Sequence, residues 1–291
     1  MTKPNAYAKP CMQTKEYRLP RRQKGRSAMR SVIACIGDSC VDYYESLGQK
    51  FPGGNPVNFA VYIRRLGGES SFVGAVGSDE DGTLVLESLR GKDVDVSHVQ
   101  VLPGPTPNTH VRMENGNRVF TSYDTGVMED YRLRPEDLDF IADHALAVTA
   151  LWGKCENDLE AIKERGVTVA FDCADLPFDP VAQKALPHAD IAFFSDDGST
   201  VEELMDTIRA VAAQGPSVVV AMRGAKGSMA WDGQTFYLQG AVECQVVDTL
   251  GAGDSFIAGF LYATLRGLPI PQRMRMGSEN AAVTIGYVGA W

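Results

Sequence analysis

The chain has 291 residues, a hydrophobic fraction of 44% and a formal net charge of −9. This length fits one large domain with a sizeable core, and no apolar stretch approaches the roughly 18 residues that a membrane-spanning helix requires. The six cysteines are scattered and form no CxxC pair. The sequence therefore predicts neither a zinc site nor a disulfide framework, and it favours a reducing, cytoplasmic setting.

The basic residues are concentrated at the amino terminus. Residues 1–30 hold nine Lys or Arg and one acid, which leaves 19 basic and 36 acidic residues in the rest of the chain. This acidic body argues against nucleic acid and membranes as partners. Because residues 1–30 lack a core-forming pattern, we predict a disordered or artefactual extension, with Met29 as a natural start, and a folded domain over 31–291. A basic arm that binds nucleic acid or a membrane surface, or that serves in targeting, is the alternative.

The first predicted strand, Val32–Ile36, is apolar and is followed by two acids, Asp38 and Asp42. Ligands of open α/β sheets gather beyond the carboxyl ends of the strands, so these carboxylates are candidates for binding a polar ligand. Ordinary turn chemistry is the alternative. The next glycine pair, Gly53-Gly54, leads into a predicted helix that carries Asn58. This loop is either a ligand-lining segment or a plain helix entry.

Two alternating segments, 108–113 and 118–123, flank Asn115-Gly116, which is a strong hairpin signal. A hairpin inserted among βα units predicts a small β lid near residues 108–125. Three acids follow the hairpin: Asp124, Glu129 and Asp130.

From residue 146 onward, predicted strands and helices alternate. The strands are Leu146–Leu151, Val167–Asp172, Asp190–Phe194 and Ser217–Met222, and the helices are Asn157–Arg165, Pro180–Leu186 and Thr200–Gln214. This order predicts an α/β fold with a mostly parallel sheet and helices on both faces.

A glycine-containing loop follows the last of these strands. Gly224 and Gly227 permit a close approach of the backbone to a ligand, and Arg223 is placed to meet a negative charge. A simple glycine turn into a hairpin at Asp232-Gly233 is the alternative reading.

The segment 246–265 predicts a strand that ends at Val246 and Val247, a tight glycine turn, and then an apolar helix. The first free N–H groups of that helix would lie at Gly251, Ala252 and Gly253, where almost no side chain blocks a ligand. The helix dipole favours an anion at this position. Asp254 adds a carboxylate beside them. It is either a general base or only an N-cap.

The string Asp248-Thr249-Leu250-Gly251-Ala252-Gly253-Asp254 resembles the signature of the ribokinase-like sugar kinases of the phosphofructokinase-B type. The resemblance implies a ribokinase-like three-layer sandwich with a central, mostly parallel sheet and a small β lid. It also implies an enzyme that uses ATP and Mg²⁺ to phosphorylate a primary hydroxyl of a sugar, with Asp254 as the base and the amides of 251–253 as the anion hole.

The resemblance also implies the roles of residues elsewhere in the chain, and it is compatible with a homodimer formed through the lid. The implied substrate-binding residues are Asp42, Gly53, Gly54, Asn58 and Asp124, and the implied nucleotide-binding residues are Arg223, Gly224, Gly227 and Asn280. Asp248 and the loop that contains Gly289 are implied to bind K⁺.

One element departs from the family. The N-x-x-E motif that usually organises magnesium is replaced by Ser195-Asp196-Asp197-Gly198, and either Asp197 or Glu202 is a substitute. Several stretches resemble the family members that phosphorylate the 6-hydroxyl of fructosamines, such as the glycated amino acid fructoselysine. A fructose, ribose or nucleoside kinase is one alternative, and a non-catalytic sugar or nucleotide sensor is another.

Overall fold

The computed structural model describes residues 30–44, 48–114 and 117–291. Residues 1–29 of the predicted extension 1–30 and the predicted turn at Asn115-Gly116 lie outside the described residues, and Arg30 belongs to the first strand. The strands are β1 (Arg30–Gly37), β2 (Cys40–Tyr44), β3 (Gln49–Gly53), β4 (Glu69–Gly77), β5 (Gln100–Leu102), β6 (Asn108–Glu114), β7 (Asn117–Asp124), β8 (His144–Ala150), β9 (Thr168–Asp172), β10 (Ile191–Ser195), β11 (Val218–Met222), β12 (Ser228–Trp231) and β13 (Phe236–Gln239). The helices are α1 (Asn55–Arg65), α2 (Glu80–Arg90), α3 (Pro135–Ile141), α4 (Leu159–Glu164), α5 (Pro180–Ala185), α6 (Val201–Ala212), α7 (Ala252–Leu265) and α8 (Ile270–Thr284).

Nine strands form the central sheet in the order β13-β12-β11-β10-β9-β8-β1-β4-β5. All neighbours are parallel except β11, β12 and β13, which pair antiparallel at one edge. The four strands and three helices predicted between residues 146 and 222 are found within two residues of their predicted ends. The predicted α/β fold with a mostly parallel sheet is therefore confirmed.

The sheet separates two hydrophobic cores. Alternate residues of β1 enter different cores, Ile33 and Cys35 on one face and Ala34 and Ile36 on the other, as the two-residue period of a strand requires. Helices α1, α2, α7 and α8 cover the first face, and α3 to α6 cover the second. Among the described helices, none is long and apolar enough to cross a membrane.

The lid is a four-stranded sheet in the order β3-β2-β6-β7, rather than a hairpin alone. The predicted hairpin corresponds to β6 and β7, but β2 pairs parallel with β6 and brings in a segment more than sixty residues earlier. An isolated two-stranded hairpin is marginally stable, so the extra strands supply the support that it needs. Asp42 thereby belongs to the lid sheet.

The predicted strand before α7 is not formed. Val246 and Val247 are irregular in backbone and about half exposed. The Val247 N–H donates to the Ile285 carbonyl at 2.8 Å, which ties this segment to the end of α8. The β-branched side chains of these two residues indicated a strand. A strand preference takes effect only where a neighbouring strand is available to pair with, and here there is none among the described residues.

Candidate active site

The amino terminus of α7 forms the predicted anion site. Gly251 is the N-cap and has a left-handed backbone, with φ of 69°. A Cβ at this position would collide with the Tyr62 hydroxyl, so only glycine fits. The Ala252 N–H donates to the Thr249 carbonyl at 3.2 Å and the Ser255 N–H to the Gly251 carbonyl at 2.8 Å, which leaves the N–H groups of Gly253 and Asp254 without an acceptor among the described residues of the helix. Those donors stand at the positive end of the helix dipole.

Asp254 is the third residue of α7 and is buried. Its two carboxylate oxygens accept hydrogen bonds from the Asn55 side chain at 2.8 Å and from the Asn58 side chain at 2.7 Å. It is therefore not the N-cap of the helix. Burial raises the pKa of Asp254, although the two amide hydrogen bonds act in the opposite direction. A carboxylate with a raised pKa is a better proton acceptor near neutral pH.

The glycine loop before α1 packs directly on the ends of β1 and β2. Gly54 caps α1 with φ of 101°, and a Cβ there would lie 2.9 Å from the Asp38 carbonyl oxygen. A Cβ at Gly53 would lie 2.7 Å from Oδ2 of Asp42. The two glycines thus let the backbone approach both acids, and the predicted substrate-binding residues Gly53, Gly54 and Asp42 lie together.

Asn58 connects three parts of the molecule. Its Nδ2 donates to Asp254, and its Oδ1 accepts from Nε1 of Trp291 at 2.9 Å. Both ends of the buried amide are therefore engaged. In this structure Asn58 orients the carboxylate of Asp254, and its predicted contact with substrate stays a prediction.

The acids of the lid segment differ in burial. Asp42 is buried and accepts from Sγ of Cys40 at 3.6 Å. Asp124 ends β7 and is exposed, and its Oδ1 accepts from the Gly126 N–H at 2.9 Å. Glu129 and Asp130 are also exposed. The structure therefore brings Asp42 to the site and leaves the later acids on the surface.

Two further buried acids surround the base. Asp38 follows β1, and Asp172 ends β9, where its Oδ1 accepts from the Ala174 N–H at 3.1 Å. Burial raises the pKa of each carboxyl to about 7, and the charge of Asp254 adds to both shifts. Sequence analysis missed Asp172. Its signal was an acid at the carboxyl end of an apolar strand, the same signal that pointed to Asp38.

A cavity of about 650 Å³ begins at the anion site. It runs from the first turn of α7 between the β11–β12 loop and α8. Its walls include Thr249, Ala252, Gly253, Gly224, Gly227, Ser278, Ala281 and Ala282. The loop that contains Gly224 and Gly227 and the second half of α8 thus line one cavity.

Arg223 and Gly227 have different places in the β11–β12 loop. Arg223 is buried, and its Nε has no hydrogen-bond partner among the described residues. Gly227 has φ of 86°, and a Cβ there would collide with the Gln239 carbonyl. Glycine is therefore required at 227 by the approach of the chain to itself.

A second cavity of about 700 Å³ adjoins the first and shares Gly224 with it. Three acids line it, Asp175, Asp196 and Asp197. Burial alone would raise the pKa of Asp196, but hydrogen bonds from Ser199 and the charge of Arg223 hold it below its ordinary value. Carboxylate oxygens are ligands that Mg²⁺ prefers. Within the described ranges, no cluster of three or more His, Cys, Asp or Glu could hold a metal.

Asn280 does not line the 650 Å³ cavity, although its neighbours on α8 do. Its Nδ2 donates to the Ser255 carbonyl at 2.6 Å, and its Oδ1 accepts from the Arg65 guanidinium at 2.6 Å. The side chain joins α8 to α7 and α1, and this geometry does not support its predicted contact with the nucleotide. Ser278, two residues earlier, lines the cavity instead. α8 begins at Ile270, so Asn280 lies in the second half of this helix, and the face of α8 that meets the cavity carries Ser278, Ala281 and Ala282.

Asp248 and the Gly289 loop meet as predicted for a cation site. The Asp248 carboxylate accepts from the Leu250 N–H at 3.0 Å and from the Gly289 N–H at 2.9 Å. The neighbouring Ala290 carbonyl accepts from the Tyr62 hydroxyl, the group that also packs on Gly251. The loop therefore supports the turn that shapes the anion hole.

Solved structures with this architecture define the class of protein. The chain superposes on an Arabidopsis thaliana ribokinase complexed with ribose and ATP with a TM-score of 0.82, at 23% identity, over 90% of this chain and 94% of that chain. At this identity the likeness shows the fold alone. The fold is that of the ribokinase-like kinases, with its crevice at the carboxyl ends of the parallel strands.

The chain belongs to the pfkB family of carbohydrate kinases, whose model matches residues 31–291. It is 41% identical to a fructoselysine 6-kinase of Shigella flexneri over 259 residues, which are 89% of this chain and 99% of that protein. It is 35% identical to a fructosamine kinase of Bacillus subtilis, over 89% and 92% of the two chains. The chain is therefore an ATP-dependent sugar kinase.

Proposed function

We propose that this sugar kinase transfers the γ-phosphoryl group of ATP to the 6-hydroxyl of a fructosamine, with fructoselysine as the preferred acceptor. The observation that carries the proposal is the identity of about 40% with proteins named fructoselysine 6-kinase, over nearly their whole length. A second observation supports the proposal. The buried acids Asp38 and Asp172 lie near the proposed base Asp254, and an acidic site suits an acceptor with a cationic amine.

The chain's own residues supply a base and an anion hole. Asp254 takes the proton of the acceptor hydroxyl as its oxygen attacks the γ-phosphorus and the bond to the leaving ADP oxygen breaks. Asn55 and Asn58 hold the Asp254 carboxylate in place. The N–H groups at the start of α7 stabilise the transferring phosphoryl group, whose charge grows on oxygens that face them.

Two cations belong to the proposal. Asp196 and Asp197 offer oxygen ligands beside the phosphate end of the nucleotide cavity, where they would hold Mg²⁺ directly or through water. Bound magnesium would neutralise phosphate charge. The Asp248 carboxylate and the carbonyls of residues 286–289 would hold K⁺ next to the turn at Gly251.

The test is a panel of acceptors under one set of conditions. ADP release is measured with fructoselysine, fructose, ribose and a nucleoside, each with ATP and magnesium. The proposal expects the largest kcat/KM with fructoselysine and a product phosphorylated at carbon 6. A larger kcat/KM with any of the other acceptors would contradict it, and no ADP release with any of them would indicate a sensor.

A further inference from the structure

Asp38 carries a buried carboxylate oxygen for which the described residues supply no partner. The residue follows β1 directly and is 5% exposed, and its Oδ1 accepts no hydrogen bond within the described ranges. Leaving a charged oxygen buried and unpaired is costly. The side chain of Ser39, by contrast, is satisfied by the Ala75 carbonyl at 2.7 Å. Asp38 is therefore an exception among the polar side chains at this strand end.

The Asp38 carboxylate lies against the glycine loop, at the carboxyl end of β1. Its Oδ2 would lie 3.3 Å from a Cβ at Gly54, in the loop that leads to the base-holding residues of α1. On one side, the charge of Asp254 raises the pKa of Asp38. On the other side, burial and then the charge of Asp38 raise the pKa of Tyr123, on the last strand of the lid. Asp38 thus stands between the transfer centre and the lid.

Among the residues that the structure describes, no basic side chain offsets the charge of Asp38. Burial raises its pKa to about 7, a hydrogen bond that its own backbone N–H donates to the carboxylate opposes this, and the charge of Asp254 adds to the rise. A neutral hydroxyl would donate a hydrogen bond to Oδ1 but would not balance the buried charge. An ammonium group would do both, because it donates a strong hydrogen bond and favours the ionised carboxylate.

Aromatic rings stand at the surface on elements next to Asp38. Tyr123 of the lid is 54% exposed, and Trp152, in the loop that packs on Gly37, is 52% exposed. Large exposed rings attract cations as well as apolar chains. A substrate with a positive charge close to a sugar ring and an alkyl chain beyond it matches this combination.

We infer that Asp38 is the specificity-determining residue that binds the cationic secondary amine next to the sugar ring of a glycated amino acid. This inference rests on the proposed function and names the residue that selects its substrate. The acids after the lid hairpin are less suited to the role. Asp124 is exposed and already accepts from the Gly126 N–H, and an exposed charge is screened by water.

The experiment compares three acceptors in the wild-type protein and in Asp38→Asn. The acceptors are fructoselysine, a fructosyl ether in which oxygen replaces the amine nitrogen, and fructose. In the wild type, kcat/KM should be about ten- to a hundredfold higher for the amine than for the ether, the range for a charge-assisted contact. In Asp38→Asn this ratio should fall to near 1, and kcat/KM for fructose should stay within about threefold of the wild-type value.

Two further variants make the comparison decisive. Asp206→Asn removes one exposed acid from α6, where Asp206 is 80% exposed, and it should leave the amine-to-ether ratio unchanged. Asp38→Ser removes the charge with a different side chain and should repeat the loss if Asp38→Asn does not fold. Melting temperatures of each variant report on folding.

The outcomes separate the two claims. An amine-to-ether ratio that survives in both Asp38 variants would overturn the inference, and so would an equal loss with amine, ether and fructose. A wild-type protein that prefers fructose to fructoselysine would instead overturn the proposed function, whatever the Asp38 variants show. Loss of the ratio in the variants, with fructose unaffected, supports both.

Discussion

The two ends of the proposed active site differ in the kind of group that would bind a ligand. The proposed phosphoryl-transfer end is the turn Gly251–Gly253 at the start of α7, which offers backbone N–H groups of fixed position. The proposed acceptor end offers side-chain carboxylates, of which Asp38 and Asp42 are buried. Backbone donors serve any phosphoryl group, whereas buried carboxylates favour acceptors that can satisfy them. Changes at the transfer end should therefore lower the rate for every acceptor, and changes at the acceptor end should alter the preference among acceptors.

The largest effect is expected at the base between the two ends. Asp254→Asn should lower kcat by about 10²–10⁴ for every acceptor, because a general base contributes a factor of that size. The fold should be kept, since an amide can still accept a hydrogen bond from the side chains of Asn55 or Asn58. Single-turnover rates with saturating ATP measure the chemical step. A variant that retains half of the wild-type rate would show that Asp254 only supports the turn.

The next largest effect is expected on the free energy of unfolding, because the buried carboxylate of Asp172 lies near Asp254. Asp172→Asn should raise the free energy of unfolding by up to about 4 kcal/mol at pH 8. The sign follows from the pKa of Asp172, which burial and the charge of Asp254 raise from 3.8 in the unfolded chain to about 7 in the folded one. The folded protein thus loses stability as pH rises through that interval, and the variant does not.

Urea unfolding of both proteins at several pH values tests this. The difference in unfolding free energy should be smaller at pH 5 than at pH 8 and should vanish below about pH 4. A difference that is independent of pH, or that favours the wild type at pH 8, would mean that the ionised carboxylate is well compensated.

Two glycines of the transfer end should respond to alanine with opposite signs. Gly251→Ala should destabilise the fold by about 1–3 kcal/mol, because Gly251 has positive φ and a Cβ would collide with the Tyr62 hydroxyl. Gly253→Ala should be neutral or stabilising by up to about 1 kcal/mol, because Gly253 is helical and its Cβ would lie 3.7 Å from Met222. Thermal unfolding of the pair measures both. Equal effects would refute this account of the turn.

A smaller effect is expected from the cation beside the transfer end. Activity should be higher in potassium than in a bulky organic cation at constant ionic strength, because the ion would order the turn through Asp248 and the Gly289 loop. Asp248→Asn serves as the comparison and should reduce this dependence. Identical wild-type rates in the two salts would remove K⁺ from the proposed mechanism.

The smallest effect is expected outside both ends. A chain that starts at Met29 should match the full chain in melting temperature and in kcat/KM for every acceptor, because residues 1–28 carry no core-forming pattern. A fall of several degrees in melting temperature would show that the basic arm docks on the domain.

The sequence by itself determined the parts of this protein that depend on neighbours along the chain. The strand–helix alternation between residues 146 and 222 reflects local periodicity and was predicted with its residues, and the proposed anion hole is a contiguous string that is visible in the sequence. The mostly parallel sheet follows from that alternation, because parallel strands need crossover helices.

Only the tertiary structure decided the features that join distant segments. Asn55 and Asn58 reach Asp254 across about two hundred residues, and the lid gains β2 by pairing with β6. The same cause explains two wrong predictions. Val246 and Val247 do not form a strand, and the Asn280 side chain contacts α7 and α1 instead of the cavity. Which face of a segment is buried, and whether a strand finds a partner, depends on contacts that no local pattern encodes. Asp38 was visible as an acid in the sequence, but its isolation inside the crevice came from the packing of the glycine loop upon it.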